Sequence, residues 1–173
     1  MIKIYDNIFD KNLRYAGLDK CETNNGIGFG VTFFTQYCTH HCKGCHNKST
    51  WDKNGGLTFN KKIYNELFEA LNKSYINRLT LSGGDPLDNL LLSNYISINF
   101  KNNFPNKQLW IYTGYIFEDI QNKDEYKQIL QLCDVLIDGP FILEQRDITL
   151  KFRGSKNQRI WKKENNIWKI EDN

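Results

Sequence analysis

No apolar run in the sequence approaches the ~18 residues that a membrane-spanning helix needs. The first residues, Met1-Ile2-Lys3-Ile4-Tyr5-Asp6, lack the basic segment and apolar stretch of an export leader, so a cytoplasmic protein is expected. Internal repeats, low-complexity tracts and linkers are missing too. With 173 residues the chain can build one hydrophobic core and is short for two, so a single domain over residues 1–173 is expected. Net charge is only +3, which by itself gives no reason to expect a nucleic-acid partner. From Lys151 onward seven basic residues face three acidic ones, so the excess lies at the C-terminal end and reads as a solvated basic surface. The five cysteines are odd in number and carry no export signal, which argues against a disulfide framework.

What is present points to an ordered α/β protein. Aromatic residues make up 14% of the chain, too many for disorder. Residues 28–34, 78–82, 108–113 and 134–138 read as buried strands. Between them, Phe59, Ile63, Leu67, Phe68 and Leu71 recur at helical spacing behind Thr58 as a candidate cap. Asp85-Pro86 reads as the start of a second helix with Leu87, Leu90, Leu91, Tyr95 and Ile98 on one face. Residues 117–130 read as mostly helix, with a break near Asn122. Residues 158–161 and 167–170 read as a closing hairpin. Strands alternating with helices imply right-handed crossovers and a parallel sheet. Four such steps are too few for a closed eight-stranded barrel, so the expected fold is an open partial (β/α) barrel of mainly parallel strands. Sites in such sheets form at the carboxyl ends of strands. The cysteine loop, Ser82 to Pro86 and Thr113-Gly114-Tyr115 fall there.

Three of the cysteines, Cys38, Cys42 and Cys45, lie within eight residues with the spacing C-x3-C-x2-C. Three thiolates on one loop can converge on one metal centre. If that centre is a [4Fe–4S] cluster, one iron has no protein thiolate, and reactive metal sites do keep a position open. An α-amino carboxylate offers the nitrogen and oxygen to chelate that iron. The alternative is zinc, with His40, His41 or His46 as the fourth ligand. A second C-x2-C knuckle is missing, which favours the cluster, but spacing alone leaves both open.

Cys38-x3-Cys42-x2-Cys45 resembles the signature of the radical S-adenosylmethionine superfamily. Cys45-His46-Asn47 and Ser82-Gly83-Gly84-Asp85-Pro86 resemble its branch that activates glycyl radical enzymes. Thr50-Trp51, residues 110–115, Asp138-Gly139-Pro140 and residues 153–159 look like the activating proteins of anaerobic (class III) ribonucleoside-triphosphate reductase. The likeness runs from about Gly26 to about Trp168. It implies a radical S-adenosylmethionine fold and a [4Fe–4S] cluster on the three cysteines. It implies reductive cleavage of S-adenosylmethionine with electrons from flavodoxin or a similar donor. It implies hydrogen abstraction from a glycine of the reductase large subunit. No nucleic acid or membrane is implied. The chain departs from the superfamily at Gly44, where many members carry an aromatic, and in Asn25-Gly26-Ile27-Gly28, where the family usually has Asp-Gly-Pro-Gly.

On this resemblance Gly44, Cys45 and His46 lie toward the adenine, and Gly83 and Gly84 offer backbone to the methionyl amino group. Thr113 and Asp138 are placed near ribose or adenine, or else in a turn and a loop cap. Asp85 is expected to cap its helix, and His40 and His41 to shield the cluster loop. Arg153, Asn157, Gln158 and Arg159 shape the C-terminal loop or face the reductase. Cys21 reads as a loop thiol and Cys133 as a small buried hydrophobe.

Overall fold

The computed structural model describes residues 5–171; Met1 to Ile4, on which the absence of a leader was mainly read, lie outside it. One eight-stranded sheet organises the described residues. Its centre is four parallel strands in spatial sequence, β2 (Gly30–Thr35), β4 (Arg78–Gly83), β5 (Gln108–Tyr112) and β6 (Val135–Asp138). Helices make the crossovers between them: α1 (Lys61–Leu71), α2 (Leu90–Asn103), and the pair α3 (Phe117–Ile120) and α4 (Asp124–Leu132). On one flank β1 (Arg14–Glu22) lies antiparallel to β2 and also to the two-residue β3 (Leu57–Thr58). On the other, β7 (Arg159–Glu164) lies antiparallel to β6 and to β8 (Ile167–Ile170).

This corrects the expected fold. Among the described residues the sheet is mixed, with three parallel and four antiparallel pairings and four α-helices, and is not an open (β/α) barrel of mainly parallel strands. The crossovers were visible as apolar runs. The first flank was not, because most of β1 is half-buried or exposed and so has a polar composition.

Alternation sends each central strand's side chains to two faces. Val31, Phe33, Leu79, Leu81, Leu109, Ile111 and Leu136 pack under the helices in one core with Leu67, Leu92, Ile96, Phe100 and Ile129. Trp110, Val135 and Ile137 point the other way and join Ile160, Tyr112 and Phe152 in a smaller cluster. Among the described residues no helix contributes to that second cluster. Residues from the segment after β6 cover that face, together with the stretch after β1, which is drawn onto the sheet by a buried arginine. Arg78 is fully buried; it pairs with Glu22 Oε1 at 2.7 Å, bonds Thr80 Oγ1 at 2.8 Å and donates to the Gly26 carbonyl.

Helix starts differ from expectation. Asn60, not Thr58, caps α1, its Oδ1 accepting from the N–H groups of Lys62 and Ile63. Asp85-Pro86 does not open α2, which begins at Leu90. Asp85 instead closes a turn by accepting from Leu87 N–H, and Asn89 ties the helix start to the carbonyls of Arg14 and Gln36. The buried stripe of α2 includes Leu92, Ile96 and Phe100, while Leu90, Leu91, Tyr95 and Ile98 are half-buried. The break between α3 and α4 and the β7–β8 hairpin match the sequence reading.

Candidate metal centre

The carboxyl ends of β2 and β4 are in register, Thr35 opposite Gly83. Beyond Thr35 the chain turns into the cysteine loop, and beyond Gly83 into the glycine turn. Backbone bonds join the two: Gly84 N–H donates to Thr35 O and Asp85 N–H to Tyr37 O, each at 2.8 Å. That contact excludes any side chain at 84, where a Cβ would lie 2.3 Å from Tyr37 O.

Cys38, Cys42 and Cys45 are all half-buried free thiols on this loop. The loop closes with Cys45 N–H donating to Cys42 O, and Asn47 N–H reaches Cys45 Sγ at 3.3 Å. Asn47 also donates its side-chain amide to Gly83 O, linking the last cysteine to the glycine turn. Burial, with the charges of Asp85 and Asp88, pushes the Cys38 thiol up to about 11, although the backbone at His40 and His41 bonds toward it. A coordinated metal overrides such a rise, because a thiol bound to it is deprotonated outright. Cys21 is exposed on β1; Cys133 is fully buried, bonding Val135 O at 3.1 Å.

Among the described residues, a trio of metal-type ligand atoms within 4.8 Å of one another is formed by His40, Asp85 and Asp88. Neither His40 nor His41 is held toward the thiols: His40 bonds Asp85, and the exposed His41 lies against Trp51 with ring centres 4.7 Å apart.

A cavity of about 520 Å³ opens beside Cys45. Gly44, Cys45, His46 and Asn47 form one wall, Asn24, Asn25 and Tyr112 the sheet side, and Phe141, Phe152 and Arg153 part of the other wall. Gly44 has a φ of +76°, and a Cβ there would be 2.9 Å from Leu143 Cδ1, which explains the missing aromatic. His46 lines the cavity and is exposed.

Thr113 and Asp138 are not among the residues lining this cavity. Thr113 is buried with its hydroxyl donated to Asp85, and Asp138 is buried, accepting from Phe117 N–H and Arg159. Arg159 also pairs with Glu118, and Gln158 Oε1 accepts from Gly154 and Ser155 N–H, so both shape the C-terminal segment. The sequence reading did not single out Tyr112 or Asn47 as site residues. Both lie inside stretches that carried the family resemblance, which was the available signal.

Comparison with known proteins agrees with the loop. The family described as a 4Fe-4S single cluster domain matches residues 24–161. The anaerobic ribonucleoside-triphosphate reductase-activating protein of Enterobacteria phage T4 is 40% identical over 162 residues, covering 91% of this chain and 99% of the relative. The chain belongs to the family of anaerobic ribonucleoside-triphosphate reductase-activating proteins. Other members of this activating-protein family are similarly close. That of Pasteurella multocida is 40% identical over 142 residues (80% of this chain, 90% of the relative). That of Haemophilus influenzae is 39% identical over 140 residues (79% and 89%).

Proposed function

We propose that this chain activates an anaerobic ribonucleoside-triphosphate reductase by creating a glycyl radical on the reductase large subunit. What supports this most is the loop of three half-buried thiols at the carboxyl ends of parallel strands, opening onto a cavity, in a chain whose residues 24–161 match a 4Fe-4S single cluster family. Cys38, Cys42 and Cys45 would hold a [4Fe–4S] cluster with one iron free of protein thiolate. That cluster would supply the electron for reductive cleavage of S-adenosylmethionine, the chemistry that leads to hydrogen abstraction from a glycine of the reductase.

The chain's own residues bind and orient. The turn at Gly83 and Gly84 would offer backbone to the methionyl amino group, and Asn47, which donates to the Gly83 carbonyl, keeps that turn at the last cysteine. Gly44, Cys45 and His46 form the wall toward adenine, and Asn24, Asn25 and Tyr112 the polar sheet side. Thr113 acts from behind by orienting Asp85. Asp138 acts from behind too, fixing the start of α3 and the Arg159 strand. Residues from Phe141 to Arg153 line the other side of this partly open cavity. The protein works as one domain over residues 1–173 in the cytoplasm, with flavodoxin or a similar protein as electron donor. No helix among the described residues is long and apolar enough to cross a membrane.

The test is anaerobic. Reconstituted protein, reductant, S-adenosylmethionine and the reductase are mixed, and a glycyl radical is sought by EPR. The radical should appear with the wild-type chain and be absent with Cys42→Ala. Methionine release without any radical on the reductase would contradict the reading.

A further inference from the structure

The turn after β4 grips the cysteine loop twice. Asp88 accepts from the N–H of Thr39 at 2.7 Å and from its hydroxyl, and Asp85 Oδ2 accepts from His40 Nε2 at 2.7 Å. Thr39 and His40 are two of the three residues between Cys38 and Cys42. Asp85 is almost wholly buried and gathers three further donors: the N–H of Leu87, the hydroxyl of Thr113 and the N–H of Gly114 at 2.8 Å. His40 is confined on its other sides. The Tyr115 ring meets it edge-on at 4.6 Å, and a Cβ on Gly114 would come within 2.5 Å of its ring.

His40, Asp85 and Asp88 lie close enough to suggest a cation site. The carboxylate oxygens of Asp85 and Asp88 are already engaged with N–H and O–H donors, so the trio is a clasp. Asp85 directly follows Gly84, in the turn assigned above to the methionyl amino group. A side-chain bridge therefore runs from that turn to the stretch between two cluster ligands.

We propose that His40 and Asp85 are positioning residues that hold the cluster loop in register with the glycine turn, so that S-adenosylmethionine can engage both at once. This rests on the proposed function. Neither residue supplies a thiolate, so loss of their bond leaves the three cysteine ligands available and alters only how their loop sits against the turn. A ligand that must touch both parts then binds more weakly, by the worth of the lost pre-organisation.

The experiment uses anaerobically reconstituted wild-type protein, His40→Ala and His40→Gln, whose amide can still donate to Asp85. Iron and sulfide per chain are measured. The EPR spectrum of the reduced cluster is then titrated with S-adenosylmethionine. His40→Ala should keep wild-type iron and sulfide yet need roughly tenfold or more S-adenosylmethionine for the spectral change, the worth of one hydrogen bond to a charged group. His40→Gln should recover to within about threefold of wild type. Titrations of His40→Ala identical to wild type would overturn the inference. So would iron loss in His40→Ala, since the residue would then serve to build the loop. A wild-type cluster that ignores S-adenosylmethionine would sink the proposed function itself and this inference with it.

Discussion

Glu22 shows how one carboxylate can hold a segment of the site in place. Burial alone would raise its pKa. Hydrogen bonds from Arg78, Thr32 and the Asn25 N–H, with the arginine charge, outweigh that and hold it below the ordinary carboxylate value. A carboxyl group with a lowered folded pKa contributes stability that is complete above its unfolded pKa and is lost as pH falls through the folded one. Glu22→Gln should therefore destabilise the protein at neutral pH by about 3 kcal/mol, because Arg78 is left buried without its counter-charge. In denaturant melts the gap between variant and wild type should narrow from about pH 4.5 downward, as the wild-type carboxylate takes its proton. A gap that stays constant into acid would show that the charge of Glu22 does not stabilise the fold. The same scale contains the least legible residue of the site. Asp85 reads in sequence as a helix cap, and nothing local to it announces Thr113, 28 positions later, or His40, 45 positions earlier. The cysteine trio was legible because its partners are its near neighbours in the chain.

Among the elements, α2 carries the clearest difference between periodicity and packing. Leu87, Leu90, Leu91, Tyr95 and Ile98 form an apolar face when the helix is started at Asp85. Asp85 is held to Leu87, Thr113 and His40, the helix begins at Leu90, and its packing places Leu92, Ile96 and Phe100 inward. Ile96→Ala should lower stability by about 2–5 kcal/mol, since it opens a cavity in a fully buried site. Ile98→Ala, at a half-buried position, should lower it far less. Equal losses in thermal melts of the two variants would contradict this register. Strands divided along the same line. β2, β4, β5 and β6 were legible because the parallel centre is buried and reads as apolar runs. β1 was not, since its exposed half around Asp19, Lys20 and Cys21 has neither a run nor alternation.

At the scale of the whole molecule, the mixed sheet leaves its second face to loops. The helices are all engaged with the core on the first face. The stretch after β1, tied down by Arg78, and the segment after β6 frame the second face and the cavity at its edge. An incomplete wall suits a substrate that is itself a protein, because a peptide segment can enter where a small-molecule enzyme would be sealed. Family membership was legible from motifs spread through most of the chain. Of the antiparallel flanks, the β7–β8 hairpin was legible from Ile160, Trp161, Ile167 and Trp168, whereas β1 and β3 were not, since they contain little of the apolar pattern.

The central claim is that three protein sulfurs hold a four-iron cluster with one iron open to S-adenosylmethionine. Mössbauer spectroscopy of the ⁵⁷Fe-reconstituted protein, recorded without and with S-adenosylmethionine under anaerobic conditions, addresses it most directly. About four irons per chain should be found, and one subsite alone should shift when the ligand is added. Four subsites that do not respond, or a colourless protein carrying a single zinc, would contradict the account.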